Sequence, residues 1–275
     1  DVVGLDTLVH VANGIRENCP NDERLELFEL PDFIKTMMEN NWLGSKTGQG
    51  FYKKHVSKDG KKEILSLDLN TLEYRSAKRA KFATLELTKT IDKVVDRFKV
   101  LVNGKDKAGE FYRKSFTALF AYVSNRIPEI TDELYKIDDA MKAGFGWEHG
   151  PFQIWDAIGV EKGIELMKAE GLEPAAWVTE MLASGSTSFY SVKEGASYAY
   201  DIPSKTQTKI PGQDSFIILD NIRKTNEVFK NSGVVVEDIG DGILNLEFQS
   251  KMNTIGGDVL AGLNKAIDLA EKDFA

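Results

Sequence analysis

Between residues 31 and 42 the apolar side chains Phe33, Ile34, Met37, Met38 and Trp42 stand mostly three or four positions apart, behind a proline that suits a first helical turn. The spacing predicts a helix. The glycine-rich stretch NWLGSKTGQGFY, residues 41–52, ends it and feeds a hairpin of two short strand-like runs around an Asp59-Gly60 turn signal. The strongest helical stripe is Leu87, Ile91, Val94, Val95, Phe98, Leu101 and Val102, stopped by Asn103-Gly104. A second stripe, from Tyr112 to Ile127, is broken by Pro128, and the two helices are expected to pack together. Three shorter helices follow: one over 131–143 with Thr131 as its cap and Gly144 as its end, then GVEKGIELMKAEG and PAAWVTEMLAS. From about Thr206 the runs SFIILDNI, GVVVEDIG and GILNLEFQS read as strands, with turns at 231–233 and 240–242, before a last helix from Val259 to Phe274.

Two landmarks occur twice. DVVGLD at 1–6 matches DAIGVE at 156–161 in character at each position, and each is followed by helices, a Gly/Ser/Thr-rich turn and a Phe-Tyr pair, at 51–52 and 189–190. Two such matches in one order predict a duplicated unit. At 275 residues the chain can bury one large core or two ordinary ones. Its net charge of -8 argues against a general nucleic-acid binder. Arg75 to Arg126 runs the other way, with thirteen Lys or Arg against five Asp or Glu, a net +8 that leaves -16 elsewhere. A solvated helix face is the plain reading of that stretch, and a dock for an anionic ligand or domain the sharper one. The single cysteine, Cys19, cannot form an internal disulfide, which fits a reducing, cytoplasmic setting. No run approaches the roughly 20 apolar residues of a membrane span. The chain opens without an initiator Met, so an excised piece of a longer protein is expected.

The glycines of 41–52 invite comparison with a phosphate-binding loop. That pattern needs Lys and Ser or Thr after its last glycine and a helix beyond it, whereas Lys46 and Thr47 precede Gly48 and Gly50 and a hairpin follows. The stretch reads as a turn, with Lys46 expected near the carbonyls of a helix end.

The residues do carry a family resemblance. VGLDT followed by NWLGSKTGQGFYKK resembles the C-terminal helical domain of the NAD-dependent 3-hydroxyacyl-CoA dehydrogenases, and YVSNRIPEI with IDDAMKAGFGWEHGPFQIWDAIG is similar to a second copy. The family pattern Asp-x-Ala-x-x-x-Gly-x-Gly, Gly-Pro-Phe, Asp-x-x-Gly falls on Asp138 or Asp139, Met141, Gly144, Gly146, Gly150-Pro151-Phe152, Asp156 and Gly159, while the first copy begins midway, at Asp1 and Gly4. The tail from Val234 to Phe274 is similar to the opening strands and first helix of an enoyl-CoA hydratase (crotonase) domain. The implied fold is mainly α: a duplicated helical domain like that at the C-terminus of 6-phosphogluconate dehydrogenase, with short hairpins and a small β-α tail. The implied boundaries are 1–75 for a truncated first repeat, 76–205 for the second, and 206–275 for a linker and the start of a hydratase domain.

What the resemblance implies for function is the helical cleft and assembly region of a bifunctional 3-hydroxyacyl-CoA dehydrogenase/enoyl-CoA hydratase of fatty-acid β-oxidation, itself inactive. The alternative is a stand-alone helical module that binds acyl-CoA or a protein. NAD belongs to the parent protein, since no G-x-G-x-x-G opens a βαβ unit here, and a CoA thioester is the substrate. The implied partners are that acyl-CoA, the missing Rossmann and crotonase domains and a second copy of the chain. Asn125, in SNR, matches by position the asparagine that orients the substrate carbonyl in the family, against a buried hydrogen-bonding role. Lys251, beside Asn253 and ahead of a helix expected from Ile255, matches the basic residue that approaches the phosphates of coenzyme A in crotonases, against a plain exposed lysine. His149 and His10 read as turn and core-edge residues. Asp138 and Asp139 point about 100° apart on a helix, which favours solvated positions over an acid–base pair.

Overall fold

The structure is a computed structural model that describes residues 1–57 and 59–274; Lys58 of the expected hairpin turn and Ala275 lie outside them. The chain divides into two compact units, Asp1–Ala80 and Lys81–Ala275.

In the first unit, α1 (Leu5–Asn18) begins at Gly4, whose φ of 109° only glycine adopts freely. Helix α2 (Asp32–Glu39) follows Pro31 and buries Ile34 and Met37. The chain then returns through a single helical turn at Ser45–Thr47 into an antiparallel meander of β1 (Tyr52–Val56), β2 (Lys62–Leu67) and β3 (Tyr74–Ser76). Leu5, Ile34, Met37 and Leu67 form the small core, flanked by Phe33, Trp42, Phe51 and Tyr74. The partner of Lys46 is a helix start: its ammonium donates to Asp6 in the first turn of α1, at 2.6 Å.

The second unit opens with α3 (Ala83–Thr88), α4 (Val94–Asn103) and α5 (Lys107–Asn125). The continuous helix expected from Leu87 to Val102 is broken between α3 and α4. The Thr88 and Thr90 hydroxyls donate to the carbonyls of Leu85 and Leu87, and Arg97 donates to that of Ile91, so side chains take acceptors that a continuing helix would use. Leu87 is left exposed. Next come α6 (Leu134–Phe145), α7 (Pro151–Ile158), α8 (Val160–Ala169) and α9 (Ala176–Ala183), then the meander β4 (Tyr190–Lys193), β5 (Ala196–Asp201) and β6 (Thr206–Lys209). Helix α6 ends on Gly146 in the left-handed conformation, two residues beyond the expected Gly144. The core is aromatic, with Trp155 stacked on Phe120 at 4.9 Å and edge-on to Phe189 at 5.0 Å.

Helix α10 (Leu219–Asn226) lies where SFIILDNI reads as a strand, and a third meander follows: β7 (Glu227–Lys230), β8 (Val234–Asp238) and β9 (Leu244–Phe248). Helix α11 (Gly257–Asp273) packs on β8 and β9, closing a core of Val234, Val236 and Val259 with Leu246 and Leu263. The other face of β8 is also covered: Val235 and Glu237 are buried, and Glu237 accepts from Arg223 of α10 at 3.3 Å and from Asn245 at 2.9 Å.

The expected mainly α, duplicated helical fold with a small β-α tail is therefore not what the chain adopts. Among the described residues, eleven α-helices accompany three three-stranded antiparallel sheets. The third strand of each of the first two sheets, Tyr74–Ser76 and Thr206–Lys209, is too short and too polar to show a period of two, so a sheet reads in sequence as a mere hairpin.

Candidate functional site

Two carboxylates organise the second unit. Asp138, on the inner face of α6 and 1% exposed, accepts from the backbone N–H groups of Phe152 (2.9 Å) and Gln153 (3.0 Å), which are free donors in the first turn of α7. Its second oxygen also accepts from the Tyr190 hydroxyl at 2.8 Å. This close approach requires Gly150, where a Cβ would collide with Cα and Cβ of Asp138. Asp156, near the end of α7, accepts from the N–H groups of Phe189 and Tyr190, both at 2.8 Å, and so holds the entry to β4. Tyr190 is thus the bolt between α6 and α7. Burial pushes Asp138 up to about 6 and Asp156 up to about 7, against the pull of the N–H donors, and drives the Tyr190 hydroxyl well above its ordinary value.

The first unit uses the same element. Asp1 accepts from the N–H groups of Phe51 (3.0 Å) and Tyr52 (2.9 Å), as Asp156 does from Phe189 and Tyr190. Gly4 and Gly159 carry φ of 109° and 106° at the starts of α1 and α8. The Trp42 N–H returns to the carbonyl of Met37 and that of Ser186 to Met181, both methionines being fully buried. The middle strand begins its pairing alike, the N–H of Leu67 donating to Phe51 and that of Tyr200 to Phe189, each at 2.8 Å. A third-strand side chain then reaches the residue before the Phe-Tyr pair: the Tyr74 hydroxyl donates to the Gly50 carbonyl, and the Gln207 amide to that of Ser188. What recurs is a helix-and-sheet element closed by a carboxylate clamp.

Above the second clamp lies an open cavity of about 760 Å³, floored by Asp156 and Tyr190. Its polar lining is made by Tyr135, Asp139, Lys142, His149 and Gln153, with Lys142 paired to Asp139 at 2.8 Å, and is continued by Ser191, Ser197, Gln213 and Asn221. Its apolar wall comes from Val95 and Ala157 on the helices, Val192 on β4, and Ile210, Pro211 and Phe216 ahead of α10.

The residues singled out in the sequence are dispersed. Asn125 is exposed at the end of α5, where its amide donates to the Ala121 carbonyl one turn back at 2.8 Å. Lys251 is exposed in a single helical turn, Lys251–Asn253, with α11 beginning at Gly257 rather than Ile255. His10 is exposed on α1, while His149 lies against the ring of Phe98 and on the cavity wall. Asp139 is solvated as expected, but Asp138 is not. The signal for it was the Gly150-Pro151 pair, which announces a helix start approached too closely for any Cβ. Among the described residues there is no parallel βαβ unit that would cradle a dinucleotide, no cluster of metal ligands, and no helix long and apolar enough to cross a membrane.

Comparison with known proteins falls on the element just described. Residues 1–54, from the clamp carboxylate Asp1 through its Phe-Tyr pair, match the family model of the 3-hydroxyacyl-CoA dehydrogenase C-terminal domain. The match covers neither the second clamp nor the tail. Over all 275 residues the chain is 37% identical to a probable 3-hydroxyacyl-CoA dehydrogenase of Bacillus subtilis, of which it covers 34%. A protein of the same description from Deinococcus radiodurans is 44% identical over 54 residues, 20% of this chain and 15% of that protein. A putative fatty acid oxidation complex trifunctional enzyme of Rickettsia felis is 26% identical over 155 residues, 56% of this chain and 20% of that protein. The chain thus spans about a third or less of the length of these relatives.

Proposed function

We propose that these residues form the part of a 3-hydroxyacyl-CoA dehydrogenase polypeptide that lies beyond its dinucleotide-binding domain, acting in fatty-acid oxidation. The observation that carries this reading is the 37% identity to the Bacillus subtilis dehydrogenase along the entire chain, with the family match falling on the Asp1 clamp. In this reading hydride transfer uses NAD held elsewhere in the polypeptide. The chain supplies binding surface and support, in a cytoplasmic enzyme. The hydratase half of a bifunctional polypeptide rests on the sequence resemblance of the tail alone.

The test is NADH formation from 3-hydroxyacyl-CoA by the polypeptide that contains these residues, compared with the isolated 275-residue chain. Turnover by the first and none by the second is expected. Turnover by the isolated chain, or none by the polypeptide at any acyl length, contradicts the reading.

A further inference from the structure

We propose that the cavity above the Asp138–Tyr190–Asp156 cluster binds the acyl end of a fatty acyl thioester, with the thioester oxygen at its polar wall. The proposal rests on the dehydrogenase reading for the identity of the thioester, and on the cavity's own chemistry for the rest. At about 760 Å³ the space falls within the roughly 300–1,000 Å³ range of small-molecule sites. Val192 and Phe216 border it and remain 51% and 58% exposed, so apolar surface is left uncovered at the mouth. Such a wall suits a hydrocarbon chain.

The polar wall offers donors rather than charge. The Gln153 side chain uses its oxygen to accept from the Gly150 N–H at 3.0 Å, and among the described residues neither its NH₂ nor the Tyr135 hydroxyl has a hydrogen-bond partner. The charges that face the cavity are already engaged. Both oxygens of Asp156 are taken by backbone N–H groups, Asp139 and Lys142 pair with each other, and His149 rests against Phe98. With one lysine facing it against the two carboxylates Asp139 and Asp156, the cavity is poorly suited to a polyphosphate or a free carboxylate. A neutral, oxygen-bearing head on an apolar chain fits both walls, and the nucleotide end of coenzyme A remains outside.

Titration calorimetry of the 275-residue chain with octanoyl-CoA, CoA and octanoate tests this, together with the Val192→Asp and Tyr135→Phe variants checked for folding by circular dichroism. Octanoyl-CoA is expected to bind at least about tenfold more tightly than CoA or octanoate. Val192→Asp, placing a charge on the apolar wall, is expected to weaken octanoyl-CoA by about tenfold or more. Tyr135→Phe, which removes only a hydroxyl, should weaken it by about two- to tenfold. If Val192→Asp fails to fold, the Tyr135→Phe result decides. Absence of octanoyl-CoA binding, equal affinity for CoA or octanoate, or affinity unchanged in the folded variants overturns the assignment. These outcomes are independent of NADH formation, so the binding site and the dehydrogenase reading fail separately.

Discussion

Glu237 in the tail is held at 0% exposure, and its cationic partner is Arg223 of α10. That guanidinium reaches three acidic residues at once: Glu237 through Nε at 3.3 Å, Glu247 through Nη2 at 2.5 Å, and Asp220 through Nη1. Arg223→Met keeps much of the side-chain volume and removes the cation. Glu237 then retains only the Asn245 amide at 2.9 Å, and a buried charge left in this way costs about 3–5 kcal/mol. Pairing the change with Glu237→Met removes the stranded charge as well, so the double variant should recover most of the loss, ending within about 1–2 kcal/mol of wild type. Urea unfolding followed by circular dichroism measures both. The expected order of midpoints is wild type close to the double variant, with Arg223→Met well below. A loss under about 1 kcal/mol for Arg223→Met, within the range of an exposed pair, or a double variant no better than the single, refutes the reasoning. Because α10 and the segment leading into it carry Ile218 and Asn221 to the cavity, the single variant should also weaken octanoyl-CoA binding.

Three further outcomes follow from the clamp and the helix ends. Gly150→Ala places a methyl group against the backbone of Asp138 and should cost about 1–3 kcal/mol, whereas Gly144→Ala, on the same helix as Asp138 with open space around it, should gain about 0.5–1 kcal/mol; thermal midpoints compare the two. Asp106 caps α5 through the Gly109 N–H and also binds Thr84 through both N–H and hydroxyl, so Asp106→Ala should cost about 1–2 kcal/mol in urea unfolding. Asp138 at about 6 and Asp156 at about 7 both lie above the ordinary value, so the folded chain keeps protons that the unfolded chain releases. Their contribution is fully present below about pH 4 and is lost as pH rises through 6 and 7. The Asp138→Asn/Asp156→Asn variant should lack this fall, and the difference in unfolding free energy between variant and wild type, measured from pH 4 to 8, should move in the variant's favour as pH rises.

The sequence showed where chemistry is punctuated better than what the punctuation does. The Phe-Tyr pairs and the Asp-x-x-Gly runs were visible as a pattern, but nothing local in sequence says that a carboxylate 50 residues away from Phe51, or 33 from Phe189, receives their N–H groups. Helices α2, α5 and α9 announced themselves through long apolar stripes or a proline start. Short elements did not: the run ahead of Leu219 is apolar over too few residues to separate strand from helix, and the hydroxyl bonds that part α3 from α4 leave the stripe of Leu87 to Val102 intact. The cavity was invisible because its walls come from α6, α7, β4 and the loop before α10, which only the tertiary fold brings together. Asp138 was misread for the same reason, since a carboxylate on a charged helix reads as solvated until its helix is packed against another.

The most direct measurement is the substrate discrimination of the polypeptide that contains this chain. NADH formation is followed with a 3-hydroxyacyl-CoA and with the corresponding free 3-hydroxy acid at equal concentration. Oxidation of the thioester with little or none of the free acid is the expected result. No oxidation of the thioester, or oxidation of the two at equal rates, contradicts the assignment of these residues to a 3-hydroxyacyl-CoA dehydrogenase.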